Sequence, residues 1–236
     1  MDNAERLTEA ARQVAVMRER IGADADLRRW SHAVKEWQAA RLAATHADLL
    51  ETPRFEDAAR FFLEDLYGAK DFSQRDAELA RVIPVLTRTL PDAALATLAD
   101  AVELDAMSER LDEAIALKLR RDDAGSIGEA RYAVAYRATA QRAEREHQLD
   151  LVLAIGRSLD RLVRHPMIGT LLAAMGGPAR MAGLSAMHEF LTNGFRAFRG
   201  IGGASEFLGR IDRRERTILD RLYSGAERGW TEIPGN

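Results

Sequence analysis

The stretch Glu144-Arg145-Glu146-His147 contains the spacing Glu-x-x-His, which on a helix sets a carboxylate and an imidazole on one face. In carboxylate-rich helical bundles such pairs ligate iron or manganese, but two of the motifs and two further glutamates are needed. This chain has the motif once, so Glu36, His32 and Glu64 are the residues that would have to join Glu144 and His147. A centre of that kind would do redox or oxygen chemistry. The plainer reading is solvation: His32 and Glu36 stand four apart, the spacing of an ordinary surface hydrogen bond.

Two more histidine-centred features invite chemistry. His147 and His188 both fall on runs of apolar helical periodicity. Facing one another across a cavity, they could hold a metal or a haem iron, or pass a proton. Tyr132 and Tyr136 could line the same cavity. The plainer readings are a neutral core histidine satisfied by a carbonyl or carboxylate, and tyrosines packed with their hydroxyls at a rim.

Other chemistries lack their signatures. Gly200-Ile201-Gly202-Gly203 follows a helical pattern rather than a strand, and has no phosphate-loop lysine beside it. No serine sits in a nucleophile elbow. Arg210, Arg213, Arg214, Arg216 and Arg221 cluster, but Asp212, Glu215 and Asp220 interleave with them, which reads as a self-paired solvated face. The absence of cysteine removes disulfides, thiol catalysis and thiolate metal sites together. A net charge of −3 without a basic block argues against a nucleic-acid partner. No apolar run approaches the ~18 residues of a membrane span, and the opening Met-Asp-Asn-Ala-Glu-Arg has no apolar signal core. A cytoplasmic location is expected.

The elements that must carry these residues are helices. Hydrophobic residues make up 47% of the 236 and charged residues 30%, an ordinary balance for a chain that can bury a substantial core. No period-2 strand pattern occurs. The periodicity predicts helices over 3–21, 25–51, from Pro53 to about 67, 74–90, 92–121, 126–164, 167–175, 178–198 and about 204–223. Gly68 ends the third of these, and Ser73-x-x-Asp76 opens the next in near capping-box form, so Asp65, Tyr67, Asp71, Arg75 and Asp76 crowd one corner. Pro84 should kink or restart its helix. Ser126-Ile127-Gly128-Glu129 reads as a capping box opening one long helix, with the stripe Tyr132, Tyr136, Ala140, Ala143, His147, Leu151, Ala154. Gly156 either weakens that helix or permits close packing. The stretch 120–125 is the clearest loop. The whole is expected to be one all-α domain of about eight helices over 1–236, with two stacked layers as one arrangement. Helix 3–21 should be peripheral, and 225–236, with Trp230, a loose tail.

Residues 61–76 (Phe-Phe-Leu-Glu-Asp-Leu-Tyr-Gly through Asp-Phe-Ser-Gln-Arg-Asp) carry a resemblance, as do 178–184 (Pro-Ala-Arg-Met-Ala-Gly-Leu), 194–198 (Gly-Phe-Arg-Ala-Phe) and 203–208. Here the chain resembles an uncharacterised family of bacterial helical proteins, a domain of unknown function. The resemblance covers most of the chain beyond the first helix and implies no activity, cofactor or catalytic residue.

The leading expectation is a helical binding or scaffold protein without catalysis, which self-associates or holds a protein partner or an apolar small ligand. The charged first helix and Trp230 are its expected contact elements. The alternatives are a His/carboxylate metal enzyme built on Glu144, His147, Glu36 and Glu64, and a haem or lipophile binder with His147, His188, Tyr132 and Tyr136 around its pocket.

Overall fold

A computed structural model describes residues 1–66, 73–121 and 125–231. Among them are eleven α-helices, one π-helical turn and no strand. The helices are α1 (Asn3–Ala23), α2 (Ala25–Thr45), α3 (Ala47–Glu51), α4 (Glu56–Arg60), α5 (Ser73–Thr89), α6 (Asp92–Arg121), α7 (Glu129–Ala138), α8 (Arg142–Leu162), α9 (Pro166–Met181), α10 (Ser185–Ile201) and α11 (Ser205–Tyr223). The π-turn, Phe61–Leu66, continues α4. The fold is all-α, as the periodicity predicts. The excess over eight helices comes from predicted helices that break.

Helix α6 is the spine. Its 30 residues bury an apolar stripe together with Thr97 and three acidic residues, Glu109, Asp112 and Glu113, and α1, α2, α7 and α8 all pack against it. Around its first half, Leu95, Leu98 and Val102 meet Leu7 and Val14 of α1 and Leu79, Val82 and Leu86 of α5. Around its second half, Ile115 and Leu119 meet Trp30 and Val34 of α2, Tyr132 and Tyr136 of α7, and Ile218 and Leu222 of α11. A third cluster joins Phe61 and Phe62 to α8, α10 and α11 through Val152, Phe198 and Phe207.

Helix α1 starts with a capping box: the Asp2 carboxylate accepts from the Glu5 N–H at 2.8 Å, and Glu5 accepts from the Asp2 N–H at 2.9 Å. It is not peripheral. Arg6 binds Asp100 at 2.6 Å and Glu103 at 2.9 Å, Arg18 binds Asp105 and Glu109, and Arg20 binds Glu113. Three of the arginines that the sequence offers to a partner are thus engaged by α6, while Glu9 and Arg12 pair with each other on the exposed face.

The breaks have local causes. The predicted helix 25–51 divides at His46, whose φ of −115° and ψ of 25° turn the chain between α2 and α3. Predicted helix 126–164 divides at 139–141. Ala140 takes a left-handed φ of 54°, an unusual conformation for a residue with a Cβ, and the Thr139 hydroxyl donates to the Tyr136 carbonyl at 2.7 Å. Gly183 breaks the next pair at φ 65°, while Gly176, Gly177 and Pro178 are absorbed into α9. Pro84 likewise sits inside a continuous α5. Pro53 lies in a turn ahead of α4 rather than at its start. The Ser126 capping box does not form. Gly128 caps α7 without a side-chain bond, and the Glu129 carboxylate serves another segment.

Gly156 permits close packing: a Cβ there would come within 2.5 Å of Leu208 on α11. Of the expected polar corner and loops, residues 67–72, 122–124 and 232–236 lie outside the described residues.

Candidate functional site

A cavity of about 130 Å³ lies between α2, the π-turn, α7, α8, α11 and the segment after α11. Its apolar wall includes Phe62, Leu149, Phe207 and Ile218. Its polar residues are Gln38, Arg41, His46, Arg145, Gln148 and Glu215, with Tyr132 and Tyr136 beside them. The bends at His46 and Ala140 place this set. The first points the His46 side chain inward. The second lets tyrosines from α7 and an arginine from α8 share one space.

Glu215 is the acidic centre. Arg41 Nη1 donates to both of its oxygens at 2.6 and 2.7 Å, and His46 Nε2 lies 2.9 Å from Oε1. Burial alone would raise the Glu215 carboxyl, but Arg41 and His46 outweigh it and bring the group down to about 2. Arg214 Nη1 lies 3.5 Å from His46 Nδ1, and Arg214 forms a two-pronged bond to Asp48 at 2.7 and 2.9 Å. Because a guanidinium only donates, His46 Nδ1 is the acceptor and Nε2 carries the proton to Glu215. Both imidazole nitrogens are engaged.

Arg145 is compensated differently. It is 5% exposed. Its Nη2 donates to the Leu111 carbonyl at 3.0 Å and its Nη1 to Gln148 Oε1 at 3.2 Å. Both acceptors are neutral. The nearest carboxylate, Asp112, stands 3.7 Å away and accepts instead from Gln38 Nε2 at 2.8 Å. Burial pushes the Asp112 carboxyl above its ordinary value, with Arg145 opposing. The Arg145 Nε is buried without a partner, and so is the Trp230 Nε1. Burial also raises Tyr136 to about 12 and Tyr132 further, so both phenols stay neutral.

Trp230 is 1% exposed and forms part of the cavity wall. It belongs to an aromatic row: Tyr132 stacks on Trp37 with centroids 4.0 Å apart and on Trp230 at 5.8 Å. The Glu129 carboxylate accepts from the Trp230 N–H at 3.1 Å and the Thr231 hydroxyl at 3.2 Å. Arg137 reaches the Leu222 and Ala226 carbonyls at 3.1 and 3.0 Å. Residues 226–231 are therefore strapped across α7, not loose.

The sequence-predicted residues are dispersed, except for the two tyrosines. His147 is exposed. Glu144 pairs with Arg110, Glu64 lies 3.6 Å from Arg60, and Glu36 lies 3.3 Å from His32 on open surface. Among the described residues no group of three or more His, Asp or Glu is placed to hold a metal ion. His188 Nε2 meets the Leu172 carbonyl at 2.9 Å and does not line the cavity. The arginine-rich face of α11 is only partly self-paired. Arg216–Asp212 and Arg210–Glu206 fit that reading, whereas Arg214 and Glu215 turn inward.

Arg145 sits inside the Glu-x-x-His motif, between the two residues the motif singles out. A signal for it exists in the sequence, since Arg145, Leu149, Val152 and Gly156 follow helical spacing on one face. Arg41, His46 and Glu215 carry no such signal, because their meeting depends on how α2 and α11 pack.

No helix among the described residues is long and apolar enough to cross a membrane. No curated protein and no solved structure matches the chain. The model of a domain of unknown function, DUF8198, matches it over residues 17–229, and the chain belongs to that family.

Proposed function

We propose that this protein is a non-catalytic small-molecule binding protein, with the ligand held in the cavity between Arg41, Arg145 and the Tyr132–Trp230 aromatic row. The observation that carries this reading is the state of Arg145: a buried cation lining a cavity, with neutral acceptors and an unpartnered Nε. A buried guanidinium whose nearest carboxylate stands 3.7 Å away and whose Nε has no acceptor is incompletely satisfied, a cost that a bound acceptor would recover. A mostly apolar pocket with a few convergent polar groups is the usual form of a ligand site.

Catalysis is less well supported. His46 has both nitrogens engaged, and both phenols are held protonated. A haem exceeds a space of about 130 Å³. The scaffold reading is weakened by the engagement of α1 with α6.

The test is ligand-observed NMR with a fragment library on the wild type and on Val152→Phe, which fills the cavity, with circular dichroism to verify its fold. Fragments that bind the wild type and not the filled variant are expected. A library in which no hit depends on the open cavity would sink the reading.

A further inference from the structure

We infer that the cavity is built for a small aromatic monocarboxylate: a single ring stacked among Tyr132, Tyr136 and Trp230, with its carboxylate met by Arg145. This rests on the ligand-binding reading above and narrows it to one chemical class.

Size comes first. The space of about 130 Å³ is close to the ~150 Å³ of an engineered apolar cavity that takes up benzene. It admits one ring with a short substituent and excludes nucleotides, porphyrins and long acyl chains.

Wall chemistry comes second. Tyr132, Tyr136, Trp230, Phe62 and Phe207 offer flat aromatic faces and edges. Ring-on-ring contacts in offset or edge geometry favour an aromatic guest over an aliphatic one of equal volume.

Charge comes third and sets the sign. Arg41 is bonded to both Glu215 oxygens, and His46 is bonded to the same carboxylate, so neither the Arg41 cation nor the Glu215 anion is left over for a ligand. Arg145 is the lining cation without a carboxylate in hydrogen-bond reach, because Asp112 stands 3.7 Å away and takes the Gln38 amide. The unpartnered buried atoms on the cavity-lining residues Arg145 and Trp230 are both N–H donors. Donors without acceptors call for an acceptor-rich group, and a guanidinium whose only near carboxylate stands 3.7 Å away favours an acceptor that carries a negative charge. A carboxylate satisfies both. An ammonium would meet no free anion, and a dianionic phosphate would carry a second charge with no partner.

The probes are benzoate, benzyl alcohol and benzylamine, titrated into the full chain by calorimetry and by tryptophan fluorescence. The variants are Val152→Phe and the pair Arg145→Met with Asp112→Asn, which removes the cation without stranding its neighbouring carboxylate. Benzoate should bind the wild type and benzylamine should not. The paired variant should weaken benzoate at least about tenfold, the loss of one charge-assisted bond, while benzyl alcohol changes by less than about threefold. Benzyl alcohol binding without benzoate would overturn the acid assignment and leave the cavity reading standing. Benzoate binding that the paired variant does not weaken would overturn the role given to Arg145. Failure of all three probes, together with a fragment library that yields no cavity-dependent hit, would overturn both readings.

Discussion

The guanidinium of Arg145 lies 4.8 Å from the centre of the Tyr136 ring, although the two residues belong to helices separated by the left-handed turn at Ala140. A guanidinium over an aromatic face gains from the ring quadrupole, most of all when desolvated. That contact offsets part of the cost of burying Arg145 but cannot replace a counter-charge.

Removing Arg145 alone should therefore be worse than removing it together with Asp112. Arg145→Met is expected to destabilise by about 3 kcal/mol or more, because it leaves Asp112 buried without its nearest cation. Adding Asp112→Asn should restore part of that loss. Urea denaturation of the two singles and the double gives the coupling. Strictly additive effects would show that the two residues do not sense one another.

Glu215 sets an acid limit on stability. Its carboxyl is held at about 2 in the folded chain, below the ordinary ~4.3 of a free glutamate. The unfolded chain therefore binds that proton more readily. The stabilisation is complete above about pH 4.3 and is lost as pH falls toward the folded value. Glu215→Gln should cost about 3–5 kcal/mol at neutral pH by stranding Arg41. The same change should flatten the decline between roughly pH 4.3 and 2. Denaturation curves measured across that range compare the two proteins directly.

Trp230 should behave as a core residue. Trp230→Ala is expected to cost about 3–5 kcal/mol and to leave Trp37 and Tyr132 open to solvent on one side. Acrylamide quenching of the remaining tryptophan emission reads the exposure. Unchanged quenching and unchanged stability would mean that residues 226–231 are not packed on α7.

At Gly156 the packing leaves no room for a branched side chain. Gly156→Val should cost about 1–3 kcal/mol, since the added carbons drive into Leu208 and separate α8 from α11. Thermal unfolding measures it. His147→Ala, by contrast, should stay within about ±0.5 kcal/mol, as an exposed position does.

Much of the fold was legible because its signals are local. Asp92 after Pro91 and the regular stripe through Leu119 mark α6 to the residue, and α11 is marked almost as well. The site was mostly hidden, for two physical reasons. Ala140 is a strong helix former, so nothing in the sequence announces that it turns left-handed and resets the helical phase. Carried through unbroken, the stripe passes from Tyr136 to His147 and Leu151. After the turn, the buried face is Arg145, Leu149 and Val152. Tyr132 and Tyr136, before the turn, line the cavity, and His147, after it, does not. The second reason is distance: the Arg41–Glu215 pair spans 174 residues, and no periodicity reports such a contact.

The strap over the cavity also fixes an order of assembly. The packing of α1, α5 and the first half of α6 draws mainly on the first 121 residues, with Met187 of α10 joining later, whereas the cavity draws on Gln38 and Arg41 early and on Glu215 and Trp230 late. Domains emerge from synthesis with their early segments first. A growing chain therefore reaches a stage in which α1, α2 and α5 can already pack on α6 while the Arg145 pocket still lacks a wall. On the ligand-binding proposal, a guest present at that stage would meet an open vessel, and residues 226–231 would close over it.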